Sequence, residues 1–324
     1  MNVALLTRFW DGIVVPRLHI PDGFLSLPVA LVFWAITVVL LLVAIRKTQQ
    51  QLGERQIPLM GVMAAFIFAA QMINFPIAGG TSGHLLGGVL AAVMLGPWAG
   101  MLVMACVIIV QGLFFQDGGL LVMGANVFNM GLLTAALGSL YHGLAGRQSK
   151  GVRLVTAGVL AWLSVVAGAL FTALQLGFSG TSPFAVVVPA MLGVHVLIGI
   201  GEGLITMAAL AFVMQVRPDL VAVEAVRTGG GRGWVVVGLV IALVVAVLSP
   251  LASADPDGLE RVAIDIGFEE VAAAPPYELF PDYVIPLLGE TPLSTILAGV
   301  IGALVVALVA FAVGRLLRQR AAAA

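Results

Sequence analysis

The chain has 324 residues, of which 61% are hydrophobic and 10% are charged, and its formal net charge at pH 7 is −1. Soluble globular domains carry about 25% charged residues, so this composition excludes an ordinary soluble domain and indicates a protein of the lipid bilayer. No basic patch is present that could serve a nucleic-acid-binding protein.

Nine apolar runs are candidates to cross the roughly 30 Å of bilayer hydrocarbon. They cover approximately residues 28–45, 58–76, 84–95, 97–115, 119–140, 153–176, 187–214, 233–251 and 292–316. The third run is short, so we expect it to be tilted, broken or partly re-entrant, which a membrane tolerates only where protein or a cavity satisfies the backbone. The sequence therefore predicts an all-α, polytopic membrane helix bundle with about nine transmembrane helices.

The lysines and arginines predict the orientation of this bundle, because these residues favour cytoplasmic loops. With the N-terminus outside and the C-terminus in the cytoplasm, twelve of the 15 cationic side chains lie inside. Those twelve are Arg46, Lys47, Arg55, Arg147, Lys150, Arg153, Arg217, Arg227, Arg232, Arg315, Arg318 and Arg320. We expect a multi-pass protein of a bacterial or archaeal cytoplasmic membrane.

Two histidine-containing segments fall on the predicted outer face. One is LHIPDGFLS, from Leu18 to Ser26, and the other is GGTSGH, which ends at His84. Neutral imidazole nitrogens suit nickel, cobalt, copper or zinc, so His19 and His84 together predict capture of a metal ion from outside. Asp22 is available as an acceptor that orients an imidazole.

The residues between the second apolar run and His84 are assigned to support of the loop. The glycines allow this loop to fold against the N-terminal segment, and they are equally compatible with plain turn residues. The four supporting residues are Gly79, Gly80, Ser82 and Gly83.

A histidine at the second position of a free N-terminus offers three coplanar nitrogens: the terminal amine, the deprotonated histidine amide and the imidazole. A second imidazole completes a square of four nitrogens. Square-planar nitrogen coordination suits Ni(II) and Cu(II), and accepts Co(II), better than it suits Zn(II), which prefers a tetrahedron.

Three longer stretches resemble a known family. HIPDGFLS, NFPIAGGTSGHLLGG (Asn74 to Gly88) and QGLFFQDGGLLVMGANVFNMG (Gln111 to Gly131) are similar to the CbiM/NikM substrate-capture subunit of energy-coupling factor cobalt and nickel transporters. The string PDGLE at 256–260 and its surroundings resemble the PDGLE module, which is similar in layout to the small two-helix accessory subunit of these transporters. The resemblance implies a fusion of the two.

The resemblance also implies the ligands and the partners. The metal would be held by the main-chain amine of Leu18, by His19 with its amide, and by His84. Co²⁺ or Ni²⁺ would be the transported substrate, with no prosthetic group. The chain contains no GxxxxGK[ST] loop, so it is not expected to be an enzyme, and a pair of cytoplasmic ABC ATPases and a coupling transmembrane (T) subunit would supply ATP hydrolysis and coupling.

Seventeen residues precede Leu18 and would block the amine that this ligand set needs. Three explanations stay open: a cleaved signal, a true start at position 18 from an alternative initiator codon, and a retained extension that leaves His19 as an imidazole ligand only. The signal is the weakest of these, since the extension lacks a continuous apolar region and an Ala-x-Ala site.

The expected domain organisation has four parts. Residues 1–17 form an N-terminal extension, 18–215 a metal-capture membrane domain, 216–232 a cytoplasmic linker, and 233–324 a two-helix PDGLE module. The outer segment 252–290 of this module carries nine acids against Arg261 alone. These acids could attract cations, or they could form a solvated face, which is the usual fate of a charge run.

Other polar residues support alternative functions. His195 and Glu202 lie seven residues apart on one helical face, where we expect a structural hydrogen-bonded pair. If they were functional instead, the chain would be an intramembrane enzyme or a signalling scaffold. A third alternative is a stand-alone proton-coupled metal transporter, for which Glu202 is nearly the only acid available. Asp117 is expected only to cap the next helix, and Asn126 and Asn129 to make interhelical contacts.

Overall fold

The computed structural model describes residues 19–221 and 233–323. The predicted N-terminal extension, Leu18 and most of the predicted linker lie outside these ranges. Within them the protein is a bundle of helices, joined at one end by a two-stranded hairpin.

Six helices in the described part of the chain are long and apolar enough to cross a membrane. They are α1 (Leu27–Gln51), α4 (Pro97–Phe114), α5 (Met123–Ala145), α6 (Lys150–Ser179), α7 (Phe184–Val216) and α10 (Pro292–Ala323). Four helices are shorter: α2 (Gln56–Gln71), α3 (Gly88–Leu95), α8 (Gly233–Val247) and α9 (Gly258–Ile266). A multi-pass membrane protein is confirmed, whereas the count of nine spans is not.

The third predicted run is short for a local reason. Gly87, with φ 82°, lies immediately before α3, and Gly96, also with φ 82°, separates α3 from α4. Pro97 then occupies the first turn of α4, where its missing N–H costs nothing. The run 84–95 therefore yields eight helical residues after an irregular segment, in agreement with the expectation of a broken helix.

The expectation of an all-α fold missed a small hairpin. Strands β1 (Phe75–Ile77) and β2 (Thr81–Gly83) pair antiparallel, with Phe75 opposite Gly83. Gly79 and Gly80 make the turn with φ of 96° and 69°, in open space. Glycine adopts these angles without the steric cost that a Cβ brings, so the plain-turn interpretation of these two residues fits the structure.

The C-terminal helices pack on the N-terminal part of the bundle. Helices α8 and α10 lie against α2, and α6 and α7 form a closely packed antiparallel pair. The connection between α8 and α10 folds over the end of the bundle that carries His19 and His84, which we call the histidine end. The opposite end, which we call the arginine end, carries Arg55, Arg217, Arg315 and Arg318 around one cavity.

One close helix contact depends on a glycine. A Cβ on Gly124 would lie 2.7 Å from Trp34 Cα and 2.8 Å from Trp34 N, so α1 would have to move. We expect Gly124→Ala to lower the free energy of unfolding by about 1–3 kcal/mol, the usual cost of overpacking. Thermal unfolding in detergent measures this change.

The matched control is Gly193→Ala, because this helical glycine has open space where the Cβ would go. Alanine is the better helix former, so this variant should keep or raise the stability. Equal losses in the two variants would contradict the assigned contact between α1 and α5.

Candidate metal centre

The segment that begins at His19 is held by one side chain of α5. Asn126 accepts from the Ile20 N–H at 3.0 Å through Oδ1 and donates to the Ile20 carbonyl at 3.0 Å through Nδ2. The Gly119 N–H donates to the same carbonyl at 2.9 Å. Asn126 lies next to a π-helical turn, Val127–Leu132, a feature that is frequent at functional sites. The backbone beside His19 is therefore fixed, and Asn126 does more than join helices.

The sequence suggested that Asp22 orients an imidazole, but in the structure it does not. Its carboxylate accepts from the N–H groups of Leu120 at 3.0 Å, Leu121 at 2.9 Å and Val122 at 3.2 Å. These three donors precede α5 and would otherwise have no partner in an apolar surrounding. Asp22 thus supports the loop before α5.

The imidazole is oriented by Asp117. His19 Nδ1 donates to Asp117 Oδ1 at 2.6 Å, and the Tyr283 hydroxyl donates to Asp117 Oδ2 at 2.7 Å. Burial opposes ionisation of this carboxyl group and acts to raise its pKa. The electrostatic attraction of the His19 ring and the hydrogen bonds from His19 and Tyr283 outweigh burial and lower the pKa of Asp117. The expectation that Asp117 only caps a helix is wrong, because the loop at Gly118 folds back against the His19 side chain.

His84 follows directly after β2. Its Nδ1 donates to the Leu85 carbonyl at 3.0 Å, and its ring centroid lies 6.3 Å from that of His19. The next residues are held by Glu202, whose carboxylate accepts from Leu86 N at 2.6 Å and from Gly87 N at 3.1 Å. Glu202 therefore fixes the irregular chain between β2 and α3, and with it the position of His84.

The predicted hydrogen-bonded pair of His195 and Glu202 is wrong. His195 Nδ1 donates to the Met191 carbonyl of its own helix at 2.8 Å. Both oxygens of Glu202 instead accept from main-chain N–H groups, which need a strong acceptor inside a membrane protein.

A cavity of about 70 Å³ opens at the histidine end. This volume is small beside ordinary ligand pockets, which reach about 300–1,000 Å³. The polar side chains in its lining are His19, His84, His195, Asn126, Asn129, Thr172 and Asp257. The cavity therefore places three of the four histidines around one small polar volume.

Asp257 of the PDGLE string reaches the cavity from the C-terminal module. Its carboxylate accepts from Glu260 N at 2.7 Å as the N-cap of α9. Burial raises its pKa to about 7, against the lowering effect of that hydrogen bond.

Asp255 and Pro256, which precede Asp257 in the chain, accept hydrogen bonds from β2. Ser82 Oγ donates to the Asp255 carbonyl at 2.7 Å, and Ser82 N donates to the Pro256 carbonyl at 2.8 Å. A Cβ on Gly83 would lie 2.5 Å from Ile198 Cγ2, so this glycine permits close packing on α7. The predicted supports Ser82 and Gly83 thus fasten the hairpin to the C-terminal module and to α7.

The acidic segment does not form a simple solvated loop. Phe268 packs on Phe24 at 5.1 Å between ring centroids, and Tyr283 stacks on Phe115 at 4.8 Å. Its exposed acids include Asp265, Glu269, Glu270, Glu278 and Glu290, while Asp257 is buried. The solvated-face interpretation therefore holds for those exposed acids but fails for the segment as a whole.

The geometry assembles metal-binding groups without completing a cage. His19 is 1% exposed, and its Nε2 is buried with no hydrogen-bond partner. Among residues 19–221 and 233–323, no three His, Cys, Asp or Glu residues already surround one point. The site is therefore two neighbouring imidazoles beside a small polar cavity, with His195 and Asp257 in its wall.

This arrangement defines a class: a polytopic membrane protein with an imidazole-lined cavity at one end of its bundle. The sequence profile described as "Cobalt uptake substrate-specific transmembrane region" (CbiM) matches residues 19–220, and the PDGLE domain matches residues 232–319. The chain belongs to the CbiM family and carries a C-terminal PDGLE domain, which confirms the resemblance seen in the sequence.

Relatives and solved structures agree with this family. The "Fused nickel transport protein NikMN" of Rhodobacter capsulatus is 30% identical over 94% of this chain and 100% of its own. The "Cobalt transport protein CbiM" of Sorangium cellulosum is 36% identical over 66% of this chain and 99% of its own. The "Crystal Structure of an Truncated Transition metal Transporter" matches with a TM-score of 0.55 and 32% identity, covering 61% of this chain and 98% of that one.

The separate hydrogen bonds of His195 and Glu202 can be tested by a double-mutant cycle. Glu202→Gln should lower the free energy of unfolding by about 1–3 kcal/mol, because the new amide would face a main-chain N–H and leave it unsatisfied. Combined with His195→Ala, the two effects should add to within about 0.3–0.5 kcal/mol. A larger coupling energy in detergent unfolding would show that the two side chains interact directly.

Proposed function

We propose that this chain is the membrane substrate-binding subunit of an energy-coupling factor ABC transporter that imports Co²⁺ or Ni²⁺. The observation that carries the proposal is the pair of buried imidazoles, His19 and His84, in the wall of a small polar cavity. Membership of the family supports transport of these metals, and relatives bear the names of both nickel and cobalt transport proteins.

The histidine end is proposed to face the outside. Twelve of the 15 cationic residues lie on the cytoplasmic side in that orientation, and the arginine end would then face the cytoplasm. Helix α7 connects the two ends: Thr181, just before it, donates to the Phe24 carbonyl at 2.5 Å, and Arg217 follows its last residue. An ion captured at His19 and His84 would thus enter from outside.

Capture requires the ion to lose water. The cavity is small and three imidazoles lie in its wall, so nitrogen ligands replace part of the hydration shell on entry. Neutral imidazoles are suitable ligands for divalent nickel and cobalt, and the carboxylate of Asp117 places a negative charge next to one of them. The main-chain amine of Leu18 stays a predicted ligand, since it lies outside the described residues.

Release into the cell is proposed to need partner subunits. The chain has no phosphate-binding loop, so a pair of cytoplasmic ATPases and a T subunit would drive reorientation. The arginine end offers them a cavity of about 820 Å³ between α2, α7, α8 and α10.

Removal of His84 tests the site. We expect His84→Ala to reduce uptake of radioactive nickel or cobalt to background in cells that express all transporter subunits, because one of the two neighbouring imidazoles is lost. The control is His142→Ala. His142 lies on α5 outside the cavity lining, so its replacement should leave uptake unchanged. Membrane levels of both variants are compared by immunoblot.

Undiminished transport by His84→Ala would contradict the proposed site. An intramembrane enzyme or a signalling scaffold makes the opposite demand, because it would need His195 and Glu202 and not His84. A stand-alone proton-coupled metal transporter would instead depend on Glu202, which is nearly the only acid available for it. Neighbouring genes for an ATPase and a coupling membrane protein would favour the proposed function over all three.

A further inference from the structure

The cavity at the arginine end is far larger than the one at the histidine end. Its volume of about 820 Å³ falls within the range of about 300–1,000 Å³ that is typical of ligand pockets. The described residues in its lining include four arginines, Arg55, Arg217, Arg315 and Arg318, against one acid, Glu54. This cavity therefore has both the size and the charge to hold an anionic ligand.

Two of these arginines keep their positive charge for a ligand. Arg318 donates from Nη1 to the Leu52 carbonyl at 3.3 Å, and this neutral acceptor leaves its charge in place. Within residues 19–221 and 233–323, Arg315 makes no hydrogen bond or ion pair. The two side chains are exposed and lie three residues apart, on one face of α10. Guanidinium groups match the oxygens of a phosphate with paired N–H donors, so this face is suited to a phosphate group.

The cavity becomes apolar further into the bundle. Phe311 lies on the same face of α10 as Arg318, seven residues earlier, which places it about 10 Å further from the arginine end. On the α8 side, the Trp234 ring lies below the Arg217 guanidinium, with 5.3 Å between the guanidinium carbon and the ring centroid. Tryptophan is enriched at the depth of the lipid headgroups. The lining thus changes from cationic to apolar over the depth at which a lipid makes the same change.

Two exposed apolar rows lead out of the cavity, one along α8 and one along α10, and these helices contact each other. In each row the side chains are three or four residues apart, so they share a helix face, and the first of them lines the cavity. The rows are Val236, Val240 and Val244 on α8, and Phe311, Leu308 and Leu304 on α10. A soluble anion would leave these rows uncovered, whereas the acyl chains of a phospholipid would cover them.

We propose that the arginine end binds one anionic phospholipid, with its phosphate on Arg315 and Arg318 and its acyl chains along the two rows. Basic pockets between spanning helices on the cytoplasmic side bind lipid headgroups, and the membrane surface there is negative. The orientation proposed for this chain places the arginine end on that side. Bound lipid would complete the surface that this end offers to partner subunits.

Lipid selectivity is the first test. The full 324-residue chain is purified in detergent and titrated with phosphatidylglycerol or phosphatidylcholine of identical acyl chains, and bound lipid is counted by native mass spectrometry. We expect phosphatidylglycerol to bind at least about fivefold more tightly, because it carries a net negative charge and each arginine near the surface favours that charge. Equal affinity for the two lipids would overturn the proposal.

Arg315→Gln tests the assigned residues. This side chain makes no bond to the described part of the chain, so its loss should leave folding unchanged. The affinity for phosphatidylglycerol should fall about fivefold. The matched control is Arg320→Gln, which removes the same charge from the same helix outside the cavity lining and should change the affinity less than twofold. Equal losses in the two variants would show a general charge effect and overturn the assigned site.

Two further measurements separate a lipid from other occupants. Glycerol phosphate at the same concentration should not displace phosphatidylglycerol, because it lacks acyl chains, and displacement would assign the cavity to a soluble phosphate compound instead. Loss of copurifying ATPase subunits from Arg315→Gln, with its lipid affinity unchanged, would assign the cavity to a protein partner and also overturn the lipid site. None of these measurements involves a metal, so their failure would leave the proposed function intact.

Discussion

Irregular backbone inside a bilayer is stable only where protein groups satisfy its N–H and C=O groups, and the histidine end depends on this constraint. Three side chains satisfy these backbone groups at the histidine end. Asn126 pairs with both main-chain groups of Ile20, Asp22 accepts from the loop before α5, and Glu202 accepts from Leu86 and Gly87. These bonds hold two non-helical segments, and those segments carry His19 and His84.

The same constraint explains why Glu202, which resembles a catalytic group, is structural. Glu202 is fully buried in a spanning helix, a position that makes an acid a functional candidate by default. Its two hydrogen bonds to main-chain N–H groups provide a complete structural reason for its presence. Asp117 differs, because its carboxylate contacts the side chain of a histidine that lines the cavity.

The two modules form one site. Helices α8 and α10 pack on α2, and the segment between them supplies Tyr283 to Asp117 and Asp257 to the cavity wall. Tyr283 has a φ of 60°, which is unusual for a residue with a Cβ, and aromatic packing on Phe115 accompanies this conformation. Fusion of the modules in one chain thus fixes the stoichiometry between the CbiM region and the segment that covers its histidine end.

The sequence by itself determined the bilayer environment, the approximate position of the long helices, the family and the two histidines His19 and His84. These properties depend on local composition, run length and contiguous motifs, which can be read without knowledge of contacts. Asp117 and the PDGLE string were both visible within the motifs that indicated the family, but nothing local showed that Asp117 contacts His19 or that Asp257 lines the same cavity as His19. The partners of Asp117 are 98 and 166 residues away along the chain, and only the tertiary structure brings them together. For the same reason the tertiary structure decided which nitrogen of His19 is engaged, because its acceptor, Asp117, lies on a distant segment of the chain.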